Sequence, residues 1–193
     1  MNGVELQFGR ELALIQDSLV RRFTIEVLAR VPDYFWTIPA SSSGKYHPPD
    51  HLGDGGLVRH VKKAVELSHK ITETFELLPY KDLVVSAILL HDGMKYGLSG
   101  KDYDAYKTHG ELMKQFMLSL LQTNQLPGAS EYNADADFQK KAARICDMVE
   151  THMGIWGNKK PSSRLQMCVH LADLMSAHKM IVFPMEWYSA KNS

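Results

Sequence analysis

Apolar positions along this chain recur at helical spacing. Leu12, Ile15, Leu19, Phe23 and Val27 fall three or four residues apart and mark one face of a long first helix. That helix is expected to end near Val31-Pro32, because proline pushes its predecessor out of the helical region. Further helices are predicted from about Leu57 to Leu77, Asp82 to His91, Thr108 to Leu121, Asp137 to His152 and Ser163 to Met180. Glycine or proline punctuates the chain between them, as at Gly93, Pro127-Gly128 and Gly154. The stretch from Val84 to Leu90 is apolar nearly all round, so its helix is expected at the centre of the fold. No segment alternates like a strand, and no internal repeat is visible. The pattern predicts an all-α fold of about six main helices in a single domain over 1–193.

Between the first two helices lies a long irregular stretch, Pro32 to Gly56, rich in turn residues: Pro39, Ser41-Ser42-Ser43-Gly44, Pro48-Pro49 and Gly53-Asp54-Gly55-Gly56. Loops of this length inside a small domain are usually functional or disordered. Tyr34, Phe35, Trp36, Ile38 and Tyr46 within it argue for anchoring to the body of the protein.

Composition narrows the partners. The 193 residues carry 22 Lys plus Arg against 22 Asp plus Glu, a formal net charge of zero. A strongly basic surface for long nucleic acid is therefore not implied. No apolar run is long enough to span a bilayer, and the start, with Glu5, Arg10 and Glu11, lacks a signal-peptide core. Cys146 and Cys168 lie on apolar helix faces and read as small buried hydrophobes in a reducing compartment. A cytoplasmic protein is expected.

The candidate chemistry sits at five stations: His60, the pair His91-Asp92, His109, His152 and Asp173. Each lies on or beside a predicted helix. Imidazole and carboxylate suit divalent ions such as Zn, Fe, Mn and Ni. An aspartate beside Leu89 and Leu90, and another in the apolar run from Cys168 to Met175, are costly unless their charge is compensated. A metal supplies that compensation. The remaining helix histidines, His69, His170 and His178, read as structural.

The wording around the stations carries a resemblance. Leu89-Leu90-His91-Asp92-Gly93-Met94-Lys95 resembles the LLHDxxK segment of the HD-domain metal-dependent phosphohydrolase superfamily. Gly55-Gly56-Leu57-Val58-Arg59-His60 is similar to the GGLxxH segment of the branch that includes the HD domains of bacterial 3′–5′ exoribonucleases and conjugative-relaxase proteins. His152-Met153-Gly154-Ile155-Trp156-Gly157 resembles its HHGxxxxG segment, and the stretch from His170 to Ala177 its LHxADxLDA segment. Pro39-Ala40-Ser41 with His47 and His51 resembles the PAS…HH stretch before the glycine pair. The likeness covers about 36–179, with 1–31 as an N-terminal helix packed on that core.

The resemblance implies that His60, His91, Asp92 and Asp173 hold one divalent ion (Mn, Fe, Ni, Zn and Mg are not distinguished). Asp92 would bridge to a second ion held by His109 and His152. Three positions depart from the family pattern: Met94, Met153 and Ser176, none of which is expected to touch the stations. The implied activity is hydrolysis of a phosphomonoester or phosphodiester by a metal-activated hydroxide. Asp92 and Lys95 would be catalytic, with Lys95 on a phosphate oxygen. His47 and His51 would protonate a leaving alkoxide or clamp phosphate, and Arg59 would join a phosphate-collecting rim or be ordinary helix charge. The expected substrate is a nucleotide or short oligonucleotide. The same ligand order also occurs in HD-type di-iron oxygenases, and a nucleotide-binding regulator with an idle site is a further alternative.

Overall fold

The computed structural model describes residues 3–41, 44–102, 105 and 107–180. Ser42 and Ser43 of the loop's serine run, and 181–193 of the expected domain, lie outside the described residues. Within them the chain forms helices and no strand, so the all-α expectation holds. The helices are α1 (Gly3–Leu12), α2 (Ser18–Leu28), α3 (Gly56–Thr74), α4 (Lys81–Leu90), α5 (His109–Gln122), α6 (Ala129–Ala134), α7 (Ala136–Thr151) and α8 (Arg164–Ser176).

The most apolar helix does become the centre. Every residue of α4 from Leu83 to Leu90 is buried, and α4 packs against α2, α3, α7 and α8. Around it, α3 lies along α8 and α5 lies along α7. The first pair brings the last described helix beside the first half of the chain. Cys146 of α7 and Cys168 of α8 are buried free thiols. No helix among the described residues is long and apolar enough to cross a membrane.

Two sequence expectations need correction. The single first helix is two, with a break over 13–17. Asp17 caps α2 by accepting the amides of Leu19 and Val20, and Asp82 of α4 accepts those of Gln16 and Asp17. The apolar spacing continues through the break because Ile15 is buried there all the same. In addition, the second loop contains the short helix α6, whose Tyr132 stacks on Phe138.

The long loop is built on short 3-10 turns at Asp33–Trp36 and Pro49–His51. Phe35 is fully buried and meets Trp36 edge-on, and Tyr34 donates its hydroxyl to the Gly97 carbonyl. Backbone bonds from Ala40 to His51, Gly55 to Thr37 and Leu57 to Ile38 fold the loop onto the start of α3. Tyr46 departs from the anchoring expectation, since its side chain is largely exposed.

Asp17 yields a stability prediction. Burial raises its carboxyl pKa, but the Lys141 ion pair and the two capping amides outweigh that and hold it below the usual 3.8. A depressed folded pKa gives stability that is present above the unfolded value and lost as pH falls through the folded one. Asp17→Ala is expected to lower unfolding free energy by about 1 to 2 kcal/mol near neutral pH in urea melts. The gap to the wild type should close as pH drops below about 4. A gap that persists in acid would contradict this account.

Candidate metal centre

Helix ends deliver the side chains. Gly55, with a φ of 69°, turns the loop into α3, and His60 follows within the first turns. A Cβ on Gly56 would lie 2.1 Å from the His51 carbonyl oxygen, so only glycine lets the loop fold back there. His91 is the C-cap of α4 and Asp92 comes next. His109 opens α5, and His152 is the C-cap of α7. A Cβ on Gly110 would lie 2.7 Å from the Val149 carbonyl oxygen, so glycine permits the close approach that brings His109 to His152. Asp173 lies in the last turn of α8.

All five stations converge. His60 Nε2 is 3.0 Å from Asp173 Oδ1 and 4.0 Å from Asp92 Oδ2. His91 Nε2 lies 3.6 Å from an oxygen of each aspartate. His109 Nε2 is 2.9 Å from Asp92 Oδ1 and 2.9 Å from His152 Nε2. His152 Nε2 is 3.7 Å from Asp92 Oδ1. Two compact ligand groups result, His60-His91-Asp173 and His91-Asp92-His152, with His91 in both. All are buried apart from the half-buried Asp173.

Hydrogen bonds on the outer nitrogens fix how these rings are used. His91 Nδ1 lies 2.6 Å from the Ile88 carbonyl, and His152 Nδ1 2.7 Å from the Val149 carbonyl. A carbonyl only accepts, so both Nδ1 atoms carry the proton and donate. The Ser176 hydroxyl donates to the Asp173 carbonyl, which leaves its oxygen to accept from His60 Nδ1 at 3.0 Å. In the neutral rings, three Nε2 lone pairs therefore face inward toward carboxylate oxygens. His91 Nε2 is buried with no hydrogen-bond partner at all. Such an arrangement calls for positive charge between the donors. These nitrogen and oxygen donors suit a divalent first-row ion.

The titration behaviour has the same origin. Burial opposes the charged forms throughout, yet Asp92 is held well below the usual carboxylate range by Lys95 and His91, with His109 and His152 beside it adding to the fall. Asp173 is held well below it by the neighbouring His60 and His91 rings. Burial works against a charged His91, but the two aspartates overrule it and push it up to about 9. His152 is pushed down to about 4 by burial, with neighbouring histidines adding to the fall. A proton on His91 is thus one source of the missing charge, and a divalent ion is a stronger one.

Comparison with known proteins finds no match. No family model, curated protein or solved structure matches the chain. The arrangement of these residues is therefore the ground for any functional reading.

The other predicted site residues divide. A cavity of about 800 Å³ opens over the centre, lined among others by His60, Asp92, His109 and Asp173. Lys95 and His47 line it too. The Lys95 ammonium sits 2.8 Å from Asp92 Oδ2. His51 is buried behind His60, with ring centroids 5.5 Å apart, and is not part of the lining. Arg59 turns away and donates to the carbonyls of Asp50 and Asp54, so it clamps the loop rather than forming a rim.

The sequence reading missed two residues. Ser176, expected to touch no station, bonds His60. His170, read as structural, donates Nδ1–H to the His152 carbonyl and lines the cavity. Their signal was their spacing, since His170, Asp173 and Ser176 recur every three residues on one face of α8.

Ser176→Ala removes the acceptor that holds the His60 proton on Nδ1. Its affinity for Mn²⁺ or Zn²⁺, measured by calorimetric titration, is expected to fall about 10- to 100-fold. Unchanged affinity would mean that Ser176 does not orient His60.

Proposed function

We propose that the protein is a metal-dependent phosphohydrolase acting on a small phosphomonoester or phosphodiester, with a nucleotide or short oligonucleotide as the expected substrate class. The observation that carries this reading is the set of inward-facing Nε2 lone pairs converging with two depressed carboxylates beneath an open cavity. The likeness of the station sequences to the HD-domain superfamily supports it. His60, His91, Asp92, His109, His152 and Asp173 would hold the divalent ions, which would supply Lewis acidity at a phosphoryl oxygen and acidify a water near neutral pH.

The chain's own groups have definable tasks. Asp92 turns Oδ1 to His109 and Oδ2 to Lys95, with Oδ2 also 4.0 Å from His60 Nε2, so the carboxylate stands between the two halves of the cluster. Lys95 adds positive charge beside that carboxylate at the cavity floor, where a phosphoryl oxygen arrives. Burial, with help from His60, pushes His47 down to about 4. At neutral pH it is an uncharged imidazole, able to hydrogen-bond a phosphoryl oxygen but holding no acidic proton for a leaving alkoxide.

Asp92→Ala is expected to strip the ions and lower turnover of bis(p-nitrophenyl) phosphate by at least on the order of 1,000-fold, with the helical circular dichroism preserved. Lys95→Ala should retain metal in elemental analysis and lose about 10- to 100-fold in kcat. Full activity in Asp92→Ala would refute the assignment. Oxygen uptake by an iron-loaded form that hydrolyses no phosphoester would replace it with oxygenase chemistry.

A further inference from the structure

The cavity over the centre has walls unlike its floor. We infer that it selects substrates bearing one phosphoryl group on a flat, apolar body and gives no advantage to further phosphates along that body. This rests on the phosphohydrolase reading of the floor.

The floor gathers the charged groups Asp92, Asp173 and Lys95 beside the imidazoles. The walls are contributed by Tyr46, Met153, Trp156, Leu174 and the alanines Ala40 and Ala177. Trp156 is 51% exposed and Tyr46 61%, so each keeps a large part of its surface open. The 3-10 turn Gly154–Trp156 carries Trp156, and its ring centroid lies 6.2 Å from that of His170. This tryptophan lines the chamber that opens on the candidate ligands.

Among the described lining residues, fixed positive charge is confined to the floor. Lys95 is the only Lys or Arg among the described lining residues, and its ammonium is already paired with Asp92 at 2.8 Å. Lys45 lies over the Tyr46 ring at 5.1 Å but is not part of the lining. Of the histidines in the wall, His170 commits its Nδ1 to the His152 carbonyl, and His178 accepts the Met180 amide at Nδ1. A second phosphoryl group on the body of the substrate would lie against Tyr46, Trp156 or Leu174. It would lose water there without gaining a counter-charge. An aromatic body instead gains contact with the indole, a stacking interaction worth about 5- to 150-fold in affinity. A volume of about 800 Å³ matches one small molecule rather than a polymer.

The test titrates manganese-loaded protein by calorimetry with three non-hydrolysable ligands: methylphosphonate, 1-naphthylmethylphosphonate, and a naphthalene with a second methylphosphonate at its far edge. The naphthyl compound should bind about tenfold or more tightly than methylphosphonate. The second phosphonate should cancel that gain, and Trp156→Ala should reduce it to about threefold or less. Equal binding of the first two ligands would overturn the inference. So would an advantage that survives Trp156→Ala, or a bisphosphonate that binds tighter still. Phosphoester hydrolysis is scored separately. Its absence, with the naphthyl preference intact, removes the phosphohydrolase reading and leaves the apolar chamber standing. Hydrolysis without the preference removes the inference alone.

Discussion

Two carboxylates and a set of imidazole lone pairs share one space at the base of a cavity in a helical protein, and this constraint organises everything around it. Asp92 is almost fully buried, and Lys95 is the one permanent cation bonded to it. Unpaired charge in such surroundings is among the most expensive features a core can hold. The outer nitrogens of His60, His91 and His152 are committed to Ser176 and to backbone carbonyls, so these rings cannot turn their protons inward without breaking those bonds. The site is left short of positive charge by construction. A buried cluster in that state disfavours the folded chain until a proton or an ion enters, which couples occupancy of the centre to stability.

The helical frame adds to the same imbalance. His91 and His152 cap the C-termini of α4 and α7, and Asp173 lies in the last turn of α8. Helix C-termini carry partial negative charge from their unpaired carbonyls. Three of them reach one place, where two aspartates already sit. For protein charges alone this is poor design, since an aspartate is favoured at the opposite end of a helix. For a cation it is favourable at every contact. Helices also explain why loops border the centre: ligands at helix ends stand next to chain that is free to leave the bundle, and the cavity opens there.

Much of this was legible in the sequence, for identifiable reasons. The all-apolar run from Val84 to Leu90 has one satisfactory location, so the central helix could be read without tertiary information. The stations were legible because an aspartate inside an apolar helix raises a charge question that composition alone cannot answer. What escaped detection depended on partners distant in sequence. Periodicity concealed the break before α2, because Ile15 stays buried whether or not the helix is continuous. The decisive contact there is Asp82, more than sixty residues away, taking the amides of Gln16 and Asp17. Arg59 follows the same rule. Its neighbours in sequence include His60, but its guanidinium meets loop carbonyls that only the folded turn places within reach.

Ser176 shows how a departure from a pattern can preserve its physics. An aspartate at this position would accept from His60 while adding a third carboxylate to a centre already overloaded with negative charge. Serine accepts the same proton at 3.0 Å and passes its own to the Asp173 carbonyl. The orientation of His60 is kept with one less buried charge to offset. Ser176 thereby links the Asp173 carbonyl to the His60 ring, so that α8 and α3 are joined at the point where their ligands meet. The close packing of those two helices and the aim of the donors are one feature of the structure, and a change to either must be felt by the other.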